Sequence, residues 1–471
     1  MGVRGWGVLF VLCGAIFLEG IDLAMLNVAL PAIRDDLGLS TGTLSGVVSA
    51  YALAYGGFML LGGRAADLFG RRRMFLLWLT VFLAFSGLGG LATEGWMLLV
   101  ARFATGVAAA FLTPAGLALI TSNFPEGPQR ARALGVYAGT GAAGFSLGLV
   151  VGGLLASVGW RWVFFAPVLL SGAILLAAVP LLRETDRGRP RGASVDVWGA
   201  VTVTAAMLSL AYGVVRLEHG ATGLGGTLAA FAAGALLLAA FVRIERRSAE
   251  PLVRLAILRS GPLVRANVAA LLFIGGFLGF QFLVTLYLQE LRGWTALQTG
   301  LAMLVVALDA IVAPTVTPRL INRFGALRVL VAGLVAAALA YALFLPVAPD
   351  WTYAAMLPTM LLLGVAFSLA YAPLTITATD GVDESEHGLA GGLLYTSMQF
   401  GGALGVSAVT AVSVAASDGP GIDLAGIRGA LVVPVAAAVV AAAVTATGLR
   451  HRPLSHDQGV PDVVGTASGT P

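Results

Sequence analysis

Two carboxylates and one guanidinium sit inside stretches that are otherwise apolar: Glu19 and Asp22 within 7–30, and Arg102 within 97–120. An ionised side chain at the middle of a bilayer costs about 2.5–3.5 kcal/mol on insertion scales, so it is kept where it faces a cavity, a partner or a proton path. A carboxyl there can take up and release a proton. A guanidinium stays charged, and its use is to hold a carboxylate or tune its titration. Glu19 and Asp22 are three residues apart, on nearly one helix face; in a shared aqueous cavity, proton exchange at one would answer to the charge of the other. A third acid, Asp309, falls near the middle of 298–318, ahead of Pro314 and Pro318, where it could receive a proton or a cationic substrate. Asn27, Gln281 and Gln399 are amides placed to line such a cavity. The plain alternative for each acid is a bond to a neighbouring helix, and for Arg102 a side chain reaching toward a helix end.

Positioning these groups requires a membrane. Of 471 residues, 58% are hydrophobic and 11% charged, and the mean hydropathy is +0.91, outside the range of soluble globular domains. A span needs about 20 mostly apolar residues. Fourteen such stretches are predicted as helices: 7–30, 43–62, 74–92, 97–120, 133–156, 162–182, 196–215, 224–242, 266–288, 298–318, 327–347, 352–378, 388–415 and 427–449. The first is read as a retained helix, being too long for a signal peptide. All 28 basic residues are arginines. Alternate loops and both termini hold 22 of them, against five in the opposite loops, which places both termini in the cytoplasm. The acidic run Asp380, Asp383, Glu384, Glu386 is against that bias, but acids weigh little in it.

Several chemistries are excluded. The net charge of +4 belongs to topology and gives no basic face for nucleic acid. Cys13 is the only cysteine, so no intrachain disulfide or cysteine metal site can form. The four histidines, His219, His387, His451 and His456, lack metal-ligand spacing, and there is no phosphate-binding loop. No cofactor or metal is expected. The tail 451–471 is too polar to bury a core and is predicted disordered.

A charged hinge, Gly63-Arg-Ala-Ala-Asp-Leu-Phe-Gly-Arg-Arg-Arg73, follows the second helix, and Pro318-Arg-Leu-Ile-Asn-Arg-Phe-Gly-Ala-Leu-Arg328 repeats it after the tenth. Asn322, Gly325 and Arg328 fall at the spacing of Asp67, Gly70 and Arg73. Two parallel six-helix units follow: 1–182 and 266–450, with 183–265 a linker carrying two extra helices.

With these features the chain resembles the major facilitator superfamily, in its fourteen-span drug:proton antiporter branch, over nearly all of 7–449. The hinge matches the family's loop motif, with Arg64 in place of leucine. Asp22-Leu-Ala-Met-Leu-Asn-Val-Ala-Leu-Pro31 resembles the branch signature, with Ala24 for threonine. Arg102-Phe-Ala-Thr-Gly106 resembles the Arg-x-x-x-Gly motif of the fourth helix. Gly135, Gly144, Gly148, Gly152 and Gly153 match the antiporter motif, with Leu149 replacing its proline, which should leave that helix straighter. Trp160-Arg-Trp-Val-Phe-Phe165 resembles the usual entry to helix 6.

The resemblance implies an all-α polytopic membrane protein with the major facilitator fold: two six-helix bundles and an inserted hairpin. It implies proton coupling at Asp22 and Arg102, to which we add Glu19. The substrate cavity is expected to hold Asp22, Asp309, Asn27, Gln281 and Gln399. The conformational switch would be Gly63, Asp67, Gly70, Arg71, Arg72 and Arg73. The expected partners are a small drug or antibiotic, protons and the bilayer, for a monomer in the cytoplasmic membrane of a bacterium. The alternative within transport is a specific metabolite, sugar or siderophore.

Overall fold

The structure is a computed structural model that describes residues 2–450 apart from 126, 184–195, 217–222, 249–254, 309–311, 314, 384–385 and 418–421; the Asp67 side chain is also outside the description. Asp309, His219, Glu384 and the tail therefore lie outside the described residues.

Helices account for the described spans because lipid offers no partner to backbone N–H and C=O groups, so each apolar run must close its own hydrogen bonds. The N-terminal group is α1 (Val3–Leu37), α2 (Thr41–Phe69), α3 (Arg71–Gly90), α4 (Gly95–Asn123), α5 (Pro128–Val158) and α6 (Trp162–Leu181). A hairpin follows, α7 (Val197–Val215) and α8 (Leu224–Glu245). The C-terminal group is α9 (Gly261–Leu286), α10 (Ala296–Met303), α11 (Thr317–Phe324), α12 (Ala326–Phe344), α13 (Tyr353–Thr379), α14 (His387–Ala416) and α15 (Leu424–Ala446). Polar residues set several starts: Ser40 accepts from Thr43 N, Asp423 from Gly426 N, and Thr295 with Gln298 forms a capping box before α10.

Among the described residues, twelve helices are long and apolar enough to cross a membrane. The other two predicted stretches, 196–215 and 298–318, include residues or side chains outside the description. Within them α7 runs Val197–Val215, α10 and a 3₁₀ turn Leu304–Leu308 account for the first part of 298–318, and α11 begins at Thr317.

Each group packs its own helices in pairs. α1 lies on α5 and α6 as α9 lies on α14 and α15, and α3 lies on α4 and α6 as α12 lies on α13 and α15. Gly70, between α2 and α3, has φ 97° and ψ 125°; Gly325, between α11 and α12, has φ 83° and ψ 151°. Both hinges thus turn through a conformation that side-chain-bearing residues avoid. Replacing either by alanine is expected to cost about 1–3 kcal/mol. Gly135→Ala should be neutral or slightly stabilising, because a Cβ there meets nothing within 4 Å and helical glycine is itself unfavourable by about 0.5–1 kcal/mol. Thermal unfolding in detergent separates the three variants; equal losses would contradict the backbone argument.

The two groups meet along two seams, α2 with α14 and α5 with α10, and α7 lies across the first. Ser49 Oγ reaches Ala403 O and Ser407 Oγ, both at 3.3 Å. Thr204 of α7 donates to Gly57 O at 2.7 Å, and Met207 and Leu208 pack on Ala52, Leu53, Phe400 and Ala403.

Candidate functional site

Glycine brings α1 within reach of the groups it must meet. A Cβ at Gly148 would stand 2.8 Å from Ile21 O, and one at Gly152 would stand 2.5 Å from Met25 Cα; Gly144 faces the Phe17 backbone in the same way. Gly144, Gly148 and Gly152 of α5 therefore form a face that is the bed of α1, deepened by Gly20, whose absent side chain faces Gly141 O and Phe145 N. Gly153 departs from that face and abuts Ala296 and Leu297 of α10, while the Leu149 carbonyl presses on Gly300. Gly135 is open and exposed, so close helix approach does not account for it. α5 runs unbroken through Leu149, which is fully buried with Ala24, Val28 and Met303.

Held in this way, the two acids of α1 have unlike partners. Asp22 is 2% exposed and Arg102 is 1% exposed; Nη1 of Arg102 donates to Asp22 Oδ2 at 2.6 Å. The guanidinium also lies 4.3 Å over the Tyr51 ring, an arrangement that favours a desolvated cation. This pair is charge-neutral as it stands. Glu19, 7% exposed, has hydroxyl partners: Tyr55 donates to Oε2 at 3.0 Å, and Thr113 of α4 donates to Oε1. The two hydroxyls also touch each other at 2.6 Å, and Thr113 Oγ1 lies 3.0 Å from Ala109 O. Four contacts thus share two hydroxyl protons, and a proton on Glu19 would supply a third.

Tyr137 on α5 belongs to the same buried cluster as Tyr55, the hydroxyl donor to Glu19. The hydroxyls of Tyr371 and Tyr395 lie 3.1 Å apart, and Tyr395 packs against the buried cluster of the N-terminal group. Phe367 stacks on Tyr371, with ring centroids 5.5 Å apart, and continues the aromatic wall to Phe277 at 4.8 Å. Tyr55, which donates to Glu19, thus joins a surface of rings drawn from both groups.

The other expected residues are distributed differently. Asn27 and Gln281 bond to each other, Nδ2 to Oε1 at 3.3 Å, with Asn27 Oδ1 and Gln281 Nε2 buried and without a partner among the described residues. Gln399 belongs to the α2–α14 seam, against Gly56. Arg71 donates to Ala118 O at 3.2 Å, and Arg72 donates to Leu182 O at 2.7 Å and to Val179 O at 2.9 Å. These contacts tie the start of α3 to the ends of α4 and α6 within the N-terminal group, where carbonyl ends of helices attract cations. Gly63 packs against Pro114. Sequence reasoning missed Tyr55, Thr113 and Tyr51; the spacing of Tyr51 and Tyr55, one turn apart on α2 with edge-to-face rings 5.8 Å apart, was the available signal.

Comparison with known proteins agrees with this architecture. The Major Facilitator Superfamily model matches residues 12–406. The puromycin resistance protein pur8 of Streptomyces alboniger is 34% identical over 88% of this chain and 82% of its own length. The cephamycin export protein CmcT of Amycolatopsis lactamdurans is 34% identical over 93% of this chain and 90% of its own. Among solved structures, an auto-inhibited POT family peptide transporter superposes with a TM-score of 0.69 at 18% identity, over 96% of this chain and 98% of that one; it shares the fold. The chain belongs to the Major Facilitator Superfamily and is a multi-pass membrane transporter, not an enzyme.

Proposed function

We propose that this protein exports antibiotic or other drug-like molecules across the bacterial cytoplasmic membrane in exchange for protons, by alternating access between two six-helix halves, 1–182 and 266–450. In this reading the chain spans the membrane fourteen times, with α7 and the segment from α10 to α11 completing the count and both termini in the cytoplasm. The relatives' names support the substrate class: they are resistance and export proteins for puromycin and cephamycin. The observation that carries proton exchange is the unlike pairing of the two acids on α1. Asp22 is committed to a cation that cannot deprotonate, and it positions Arg102 and α4. Glu19 has hydroxyl partners alone among the described side chains, so its charge must be relieved by a proton or by substrate.

A workable cycle follows from this. With the gap between the halves open to the cytoplasm, substrate settles against the tyrosine surface and the proton on Glu19 leaves. After the halves rock, a proton from outside returns to Glu19, substrate departs, and the neutral site resets. For a neutral substrate each turn moves one charge inward, worth about 2.3 kcal/mol per 100 mV. The test is efflux of ethidium, puromycin and a β-lactam from cells expressing the protein, with and without a protonophore. Efflux that survives the protonophore excludes proton coupling, and no efflux of any compound in the panel excludes the drug-export reading.

A further inference from the structure

Glu290 and Gln289 lie in a π turn, Tyr287–Leu291, that continues α9. The wider turn is closed by Arg292 N to Tyr287 O at 3.0 Å and reduces the angle between successive side chains, so two consecutive residues can address one neighbouring helix. Both address α1. Gln289 Nε2 donates to Val28 O at 2.8 Å, and Arg34 Nη1 donates to both Glu290 oxygens, at 2.9 Å and 2.8 Å. The contacted carbonyl adjoins that of Asn27, which Pro31 deprives of its intrahelical donor, and Asn27 itself holds Gln281. Three polar contacts thus run along one stretch of α1, from the middle of the bundle to the end where α1 finishes. Every one of them joins the N-terminal group to the C-terminal group.

We infer that this set is a clasp for one conformation: the Arg34–Glu290 pair, aimed by the π turn, holds shut the end of the bundle at which α1 and α9 finish, and must open before that end can admit solvent. Packing alone would not fix this contact, because α1 and α9 otherwise touch sparingly; the close approach at the same end belongs to Gly153 and Gly300 of the α5–α10 seam. The pair is also suited to release. Its side chains are 19% and 22% exposed, so water replaces the partner when it parts, and its strength is that of a partly exposed pair, enough to bias a two-state equilibrium without locking it. A fully buried pair such as Asp22–Arg102 could not part at so small a cost.

The test needs no substrate and does not depend on proton coupling. In a Cys13→Ala background, spin labels at Thr93→Cys and Asp350→Cys, exposed loop positions at that end of opposite groups, report the gap by double electron–electron resonance on full-length protein in nanodiscs. Arg34→Gln and Glu290→Gln are each expected to raise the ratio of long to short distances about two- to fivefold, the range for a pair worth up to about 1 kcal/mol. The charge reversal Arg34→Glu with Glu290→Arg should restore the short population. The inference is overturned if both single variants, eluting as intact monodisperse protein, keep the parent distribution. It is equally overturned if the reversal stays as open as the singles, since the effect would then not come from the pair.

Discussion

Glu19→Gln is expected to abolish proton-driven accumulation while leaving substrate exchange intact. In everted vesicles energised to 100 mV, one proton exchanged for one neutral substrate sustains a gradient of about fiftyfold, and the variant should fall to no gradient at all. A glutamine at this position fits the space of the carboxyl, its Oε1 accepting from one of the two hydroxyls of Tyr55 and Thr113 and its Nε2 donating to the other, so the surface built from Tyr137, Tyr371 and Tyr395 keeps its shape. What it cannot do is gain or lose a proton. Counterflow of labelled against unlabelled substrate, which requires rocking of the halves but no coupling, should therefore proceed within about twofold of the parent. Glu19→Asp, which retains a carboxyl one methylene back from its hydroxyl donors, should keep a reduced gradient. A Glu19→Gln protein that still builds the full gradient would move the exchanged proton to another group. Loss of counterflow as well would make Glu19 a structural acid.

The residues behind these arguments were unequally legible. Apolar run length and arginine placement describe a chain solvated by lipid, so most spans could be placed from the sequence to within a few residues. Gly144, Gly148 and Gly152 of the glycine series lie against α1, because only absent side chains permit such backbone contact. Three features escaped. The partners of Glu19 lie on α2 and α4, and a tyrosine or threonine in a membrane helix carries no mark of whether it bonds an acid or its own backbone, as Thr105 does with Ala101 O and Arg102 O. The shortness of α10, with its 3₁₀ continuation, was hidden because hydropathy measures composition and not hydrogen-bond register. The clasp residues escaped for a related reason: a π turn has no residue signature, and Glu290 and Arg34 read from sequence as ordinary loop charges 256 positions apart. The likeness of the two hinges, by contrast, was visible, since Gly70 and Gly325 answer a backbone demand that only glycine meets cheaply.

The second large effect concerns the other acid, and it separates a positioning role from an exchanging one. Asp22→Asn leaves the Arg102 guanidinium buried over Tyr51 without its carboxylate, and breaking a buried pair from one side costs about 3–5 kcal/mol. Nothing can relieve that charge, because arginine does not deprotonate, and Nε and Nη2 of Arg102 already lack a partner among the described residues. The expected outcome is a large loss of folded protein, read as yield and as a fall in the thermal midpoint. Arg102→Gln should be milder, since the carboxyl left behind can be neutralised by a proton from the aqueous gap. Removing both charges, in Asp22→Asn with Arg102→Gln, should recover most of the stability, because a buried ion pair and a pair of hydrogen-bonded amides of similar size differ little in net worth. The same double variant decides the assignment of roles. If Asp22 serves to hold Arg102 and Glu19 carries the proton, the stabilised double variant should retain proton-driven efflux above the level of Glu19→Gln. A double variant that folds as well as the parent, binds substrate and builds no gradient would give the exchanged proton to Asp22 instead.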